Sequence, residues 1–277
     1  MHDSVNGAVT RMTIADDEQN PHRIPAIDRM MHVLEVLERR PAGTTLRELV
    51  QMVGVPRSTV YRLLNSLEAH AMAARTADGA YRLGPRLLQF SAAISVDAAG
   101  FDLMALATPH LEKLCRISGE SSRISVFDRG MTLVLATAQG TREYALTAKA
   151  GQRLPLHAGA ASKILLGSRP EGEQGVLLAE PLQTYTDKTI TDPAALKAEL
   201  SVIRRQGWSH DGGEFSINVH SYGAPVLDST QRVVAAVSSA YLAGKTPIEA
   251  DAIRRHVIAT AEEISAEILQ LGWRTVP

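Results

Sequence analysis

At 277 residues the chain is long enough for two domains, and with 45% hydrophobic, 21% charged and 4% aromatic residues it has the composition of a globular protein whose core is aliphatic. A formal net charge of −1 excludes a uniformly polybasic protein, and one cysteine excludes an internal disulfide or a cysteine-rich metal site. No apolar run is long enough for a membrane-spanning helix. In chain order, residues 1–24 are polar, without the apolar stretch or cleavage pattern of a secretory leader, and read as a flexible N-terminal tail on a cytoplasmic protein.

Beyond the tail the charge is uneven. Between Pro21 and Phe90 ten arginines stand against six acids, a local balance of about +4, and no lysine occurs before Lys113. Ile27, Met30, Met31, Leu34 and Leu37 share one helical face over Ala26–Leu37, which Pro41 and Gly43 end. Thr45-Leu46-Arg47-Glu48 has the spacing of a capping box and opens a short helix with Leu46, Leu49, Val50 and Val53 inward. After the turn Gly54-Val55-Pro56, with Pro56 suited to a first helical position, a third helix runs from Arg57 to Leu67. Val60, Leu63, Leu64 and Leu67 form its inner face, and Ser58, Tyr61, Arg62 and Asn65 its outer one.

That outer set suits the major groove of DNA. Arginine can fork onto guanine and asparagine onto adenine, hydroxyls can reach phosphates or base edges, and the helix N-terminus favours a phosphate. A short helix, a tight turn and a third amphipathic helix make a helix-turn-helix, an arrangement that other three-helix bundles share. Ala71–Arg75, a turn at Asp78-Gly79 and Tyr81-Arg82-Leu83 then read as a small β-hairpin, a wing whose arginines can reach phosphates. Gly84-Pro85 ends it. A helix from about Arg86 to Asp97 leads on, with Leu87, Leu88, Phe90 and Ile94 as a dimerisation surface or as packing within the chain.

The run Arg57-Ser58-Thr59-Val60-Tyr61-Arg62-Leu63-Leu64, followed after the wing by Tyr81-Arg82-Leu83-Gly84, resembles the IclR family of bacterial transcription regulators. The family pattern is glycine, apolar, proline, basic, Ser, Thr, aromatic or apolar, Arg, Leu-Leu, and then Tyr-x-Leu-Gly. Double-stranded DNA, in an inverted-repeat operator read by a homodimer or homotetramer, is the partner this implies. The expected DNA contacts are Thr45, Arg57, Ser58, Thr59, Tyr61, Arg62, Asn65, Arg75 and Arg82.

Past Gly100 the pattern becomes mixed α and β. A helix over Leu103–Ile117 holds Cys115 in its apolar pattern, a core position. Strands are expected at Ser121–Asp128, Met131–Ala138, near Tyr144–Lys149, at Ser216–Val226 and at Val233–Ala240, joined closely enough for an antiparallel sheet. Helices are expected at Ala160–Leu166, Glu171–Leu178, Ala194–Arg205 and about Pro247–Leu271. The whole is α+β: a winged helix-turn-helix domain over 25–84, a linker helix over 85–100 and a larger domain over 101–277.

This half also resembles the family's effector-binding domain, which has a GAF-like fold. The resemblance lies in Gly151-Gln152-Arg153-Leu154-Pro155-Leu156-His157 with the small residues up to Lys163, in Arg205-Gln206-Gly207-Trp208 with Asp211 and Glu214, and in Tyr222–Asp228 with Val233–Ser238. Two departures are Ser162, where the family has glycine, and Gly212-Gly213, where it has an acidic pair; they bear on pocket polarity and loop stiffness. Carried over residue by residue, the resemblance implies an effector cavity with Gly159, Ala160, Asp211, Val219, Ser221, Ser238 and Ala240. Strand alternation puts His220 on the face opposite Ser221, and His157 reads as a structural hydrogen-bonding residue. The function implied is regulation of a catabolic operon, as a repressor or alternatively an activator, by a small organic acid or aromatic metabolite. The rival is an enzyme or metal-binding protein using the His157/Asp211/His220 region, against which stand the lack of zinc-type histidine spacing, of a nucleophile elbow and of a phosphate-loop or dinucleotide fingerprint. No catalytic residue, cofactor or metal is expected.

Overall fold

The computed structural model describes residues 24–95, 102–142, 146 and 148–274, with the backbone alone for 91–95. The predicted tail, apart from Ile24, and the end of the predicted linker helix lie outside the described residues. Internal contacts divide the chain into two units, Met1–Ile94 and Ser95–Pro277.

The first unit runs α1 (Pro25–Glu38), α2 (Leu46–Val53), α3 (Arg57–Ala69), β1 (Ala73–Arg75), β2 (Tyr81–Leu83) and α4 (Arg86–Ser95). The capping box at α2 forms: the Glu48 amide donates to Thr45 Oγ1 at 3.3 Å and the Thr45 amide to Glu48 Oε2 at 2.8 Å. Gly54 ends α2 at φ +70°, a left-handed conformation that costs glycine nothing. Pro56 caps α3 from outside rather than standing first within it, and the helix runs on to Ala69. On α1 the predicted face is buried only at its C-terminal half. Val33, Leu34, Val36 and Leu37 enter the core with Leu49, Val60, Leu64 and Leu67, while Ile27 and Met31 stay about half exposed. The wing is tied to the helices by a bridge in which Thr44 N donates to Tyr81 O at 2.9 Å and Tyr81 N to Thr44 O at 2.8 Å. The Tyr81 ring fills the same core.

The second unit contains α5 (Leu103–Ser118), β3 (Ser121–Asp128), β4 (Met131–Ala138), β5 (Arg153–Leu154), α6 (Ala160–Gly167), α7 (Glu171–Leu177), α8 (Pro193–Gln206), β6 (Ser209–Asp211), β7 (Val219–Leu227), β8 (Val233–Leu242) and α9 (Pro247–Gln270). Among the described residues these strands form one antiparallel sheet in the order β5-β4-β3-β8-β7-β6. One face packs on α5 and α9, where Ala107, Leu111, Leu114, Val257, Ala261 and Ile264 meet Ile124, Ala224, Val226 and Val237. Ala236, on the other face, packs with Ala161, Ile164 and Leu165 of α6 and Leu196, Leu200 and Ile203 of α8. Among the described residues no helix is long and apolar enough to cross a membrane.

The strand expected near Tyr144–Lys149 falls partly outside the described residues. Tyr144, Ala145 and Thr147 lie outside the described residues, and Leu146, Ala148 and Lys149 are not in a strand. The chain turns at Gly151, φ +84°, whose amide donates to Val134 O at 2.8 Å, and pairs with β4 through Arg153 and Leu154. β6 was not expected, because three residues are too few to show an alternation.

Candidate nucleic-acid interface and ligand cleft

On α3 the apolar stripe faces α2 and the wing, so the opposite side is left to solvent. Arg57, Ser58, Tyr61, Arg62 and Asn65 are exposed there, and Thr59 is half-buried. Thr45 is also exposed, with its hydroxyl engaged in the capping box. On the wing the Arg75 guanidinium lies 5.6 Å from the Tyr81 ring centroid and Nε reaches Gly79 O at 3.4 Å. Arg82 sits on the exposed side of β2. The structure therefore brings the helix residues together on one surface, three or four positions apart.

In the second unit, strand register builds a polar floor. One row across the sheet is Asp211, Ser221, Ala240 and Ser121; the next is Ser209, Gly223, Ser238, Arg123 and Thr137. Directly paired residues share a face, and this one carries α6. Two adjoining chambers open on it. The first, of about 180 Å³, is lined by Arg123, Leu154, Gly159, Asp211, Val219 and Ser221, among others. The second, of about 510 Å³, holds Ser121, Thr137 and Ser238, and Arg123 and Ala240 border both.

Of the residues named from sequence, Gly159, Asp211, Val219, Ser221 and Ala240 line the first chamber and Ser238 the second. Ala160 lines neither: it is fully buried, and its carbonyl accepts from Ser209 Oγ at 2.7 Å. Arg123 was missed, although an arginine at an inward position between Ser121 and Ser125 of an alternating strand was the available signal. Its Nε donates to Ser238 Oγ at 3.1 Å.

The departures at Ser162 and Gly212-Gly213 have structural partners. The Ser162 hydroxyl is buried and bonded to Thr132 Oγ1 at 3.0 Å, and it lines neither chamber. The glycine loop is held: Asp211 Oδ1 accepts from Gly213 N at 2.9 Å and Glu214 N at 2.6 Å, Gly213 O accepts from Thr186 Oγ1 at 2.7 Å, and Gly212 O from Lys188 Nζ at 3.1 Å. His157 Nε2 donates to Gln183 O at 2.8 Å. His220 lies on the other face of the sheet, its ring 5.6 Å from His210 and 5.8 Å from Tyr241. His157, Asp211 and His220 thus do not converge.

Beneath the cleft, Lys163 of α6 is fully buried. Its Nζ donates to Glu199 Oε1 at 2.7 Å, to Glu214 Oε1 at 2.6 Å and to His210 O at 2.6 Å, joining α6 to α8 and to β6. Burial pushes the Glu214 carboxyl up to about 7, although the Lys163 ammonium pulls it down. The same loss of solvent, with His220 adding to it, lowers His210.

Gly223 fixes how close α6 lies. A Cβ there would stand 2.9 Å from the Ala160 carbonyl carbon and from Ser209 Oγ, and 3.0 Å from the Ala161 nitrogen. Gly223→Ala is expected to cost about 1–3 kcal/mol, because backbone must move. Denaturation followed by the fluorescence of Trp208 and Trp273, both in the second unit, checks it; an unchanged midpoint would mean the helix can rise freely.

Comparison with known proteins gives consistent matches. The family described as bacterial transcriptional regulator IclR C-terminal matches residues 97–266, and the IclR helix-turn-helix domain matches residues 26–77. The HTH-type transcriptional regulator KipR of Bacillus subtilis is 30% identical over 213 residues, covering 76% of this chain and 84% of that protein. The HTH-type transcriptional regulator TtgV of Pseudomonas putida is 32% identical over 207 residues, 74% of this chain and 77% of that one. The crystal structure of the Thermotoga maritima IclR is similar in fold, with a TM-score of 0.76 at 24% identity over 91% of this chain and 100% of the other.

Proposed function

Because the chain belongs to the IclR family of bacterial transcription regulators, and is a DNA-binding regulator rather than an enzyme, we propose that α3 reads an inverted-repeat operator under the control of a small organic acid or aromatic metabolite held in the cleft. The observation that carries this reading is the pairing, in one chain, of an outward polar helix face with a sheet-floored cavity lined by a few polar groups among apolar ones. The residues assigned to DNA are Arg57, Ser58, Thr59, Tyr61, Arg62 and Asn65 on α3, with Thr45, Arg75 and Arg82 on phosphates. Those assigned to the effector are Gly159, Asp211, Val219, Ser221, Ser238 and Ala240, with Ala160 shaping the cavity from behind. The working form is a cytoplasmic homodimer or homotetramer, since one recognition helix covers only a few base pairs. Leu88 and Phe90 of α4 are exposed and suit a dimer surface; the side chain of Ile94 lies outside the described residues.

Control requires only that the ligand bind the two DNA-affinity states unequally, with a coupling of about 1–3 kcal/mol typical. Repression of a catabolic operon is the proposed mode; a purified protein that raises transcription from its operator template would be an activator instead. The test is anisotropy of labelled DNA from the chain's own upstream region, titrated with salt and with a protein-free metabolite extract. Wild type is expected to bind in a salt-sensitive way and to respond to the extract. Ser221→Leu, which fills the buried floor of the cleft, is expected to bind DNA equally but to lose the response. A retained response would remove this strand from the effector site.

A further inference from the structure

The first chamber presents different chemistry at its two ends. Arg123 on β3 and Asp211 on β6 both line it, with β7 and β8 between them, so their backbones stand three strand spacings apart, roughly 14 Å. At the Arg123 end the guanidinium can only donate. Nε is taken by Ser238 Oγ, which lines the adjoining second chamber, and the remaining guanidinium nitrogens have no acceptor among the described residues. No carboxylate is paired with Arg123 among the described residues, and a half-buried cation without one calls for an anion. Burial works against the guanidinium's charge, and the Asp211 carboxylate acts in the opposite sense; an arginine in such a place stays charged.

The Asp211 end offers an acceptor. Asp211 is buried, and Oδ1 is spent on the amides of Gly213 and Glu214, while Oδ2 has no partner among the described residues. Gly159, the cap of α6, lines the same chamber and brings no side chain that could compete for Asp211. A hydroxyl can donate to Asp211; a carboxylate there would meet the aspartate's charge. Between the ends the walls are apolar, with Leu146, Leu154, Phe215 and Val219. The chamber, about 180 Å³, is below the range of about 300–1,000 Å³ for drug-sized ligands.

We propose that the effector is a small hydroxy-carboxylic acid with its hydroxyl remote from its carboxylate, and that Arg123, backed by Ser238, is the residue that selects the carboxylate while Asp211 reads the hydroxyl. This rests on the reading of the cleft as the effector site. The arginine fork fits a carboxylate with two parallel hydrogen bonds, which a neutral amide cannot reproduce.

The experiment is calorimetric titration of the full-length protein with 4-hydroxybenzoate, benzoate and 4-hydroxybenzamide, and with the aliphatic trio 4-hydroxybutyrate, butyrate and 4-hydroxybutyramide. In at least one trio the hydroxy acid is expected to bind tightest, with its amide about 10- to 100-fold weaker. Arg123→Gln is expected to abolish the preference for acid over amide. Arg123→Lys should keep part of it, charge remaining without the fork. DNA affinity without ligand should be unchanged in both. An amide that binds as tightly as its acid in wild type, or an Arg123→Gln protein that still prefers the acid, overturns the proposal, and the first comparison needs no variant to fold. If none of the six compounds binds, the proposal also falls. The Ser221→Leu response to metabolite extract then decides separately whether the cleft is an effector site at all.

Discussion

Replacing Lys163 by methionine is expected to destabilise the second unit by about 3–5 kcal/mol, the usual cost of removing one partner from a buried ionic cluster. Three acceptors lose their donor together: the carboxylates of Glu199 and Glu214 and the carbonyl of His210. Glu199 is partly exposed and can turn to water, but Glu214 cannot. The loss should depend on pH. Glu214 is already held up at about 7 with the ammonium beside it, and without it the folded-state value must rise further. A carboxyl whose folded value exceeds its unfolded one favours folding fully below the unfolded value, and that contribution is lost as pH rises through the folded one. The variant should therefore lie closer to wild type at pH 5 than at pH 8. Lys163→Met with Glu214→Gln should recover part of the loss at pH 8, since no charge is then stranded. Urea denaturation read by tryptophan fluorescence at both pH values measures this, and a pH-independent difference would show that Lys163 acts by packing alone.

The double variant Arg62→Ala/Asn65→Ala is expected to weaken specific operator binding by at least about 30-fold, taking about 1–3 kcal/mol for each forked hydrogen-bond pair to a base. The two side chains stand one helical turn apart on the exposed face of α3, so neither helps hold the core and the fold should be unchanged. Affinity for unrelated DNA should fall less, because it rests on phosphate neutralisation, and the salt slope should drop by about one if Arg62 touches a phosphate instead of a base. Equal weakening on operator and random DNA would assign this surface to the DNA backbone. Unchanged affinity on both would remove α3 from the interface.

What the sequence made legible were the elements with local punctuation. Thr45 and Glu48 announce α2, Gly54 and Pro56 bracket the turn, and Pro247 marks the start of α9, because caps and breakers act within a few residues. β5 and β6 exist only because a neighbouring strand lies beside them, and no pattern of two or three residues could reveal that. The site divides in the same way. Ser221 and Ser238 were found through a resemblance to related regulators, and strand alternation placed His220 on the face opposite Ser221. Arg123 meets Ser238 across 115 positions, and Lys163 meets its partners 36 to 51 positions away, so neither role is written in its own neighbourhood. On α1 the helical period was right, but periodicity cannot tell which end of an apolar stripe runs past the core, hence the half-exposed Ile27 and Met31.

The absent side chain at Gly223 decides where ligand size can be adjusted. With the first turn of α6 resting on the bare strand, the roof over the first chamber can neither drop further nor lift without pulling away from Ser209 and the Lys163 cluster. Accommodation of larger or smaller molecules must come from the floor, where Val219 and Ala240 stand in the chamber wall. Exchanging bulk at those two positions would re-tailor the compartment while leaving the surrounding architecture as it is, which makes them the natural sites at which to redesign ligand choice.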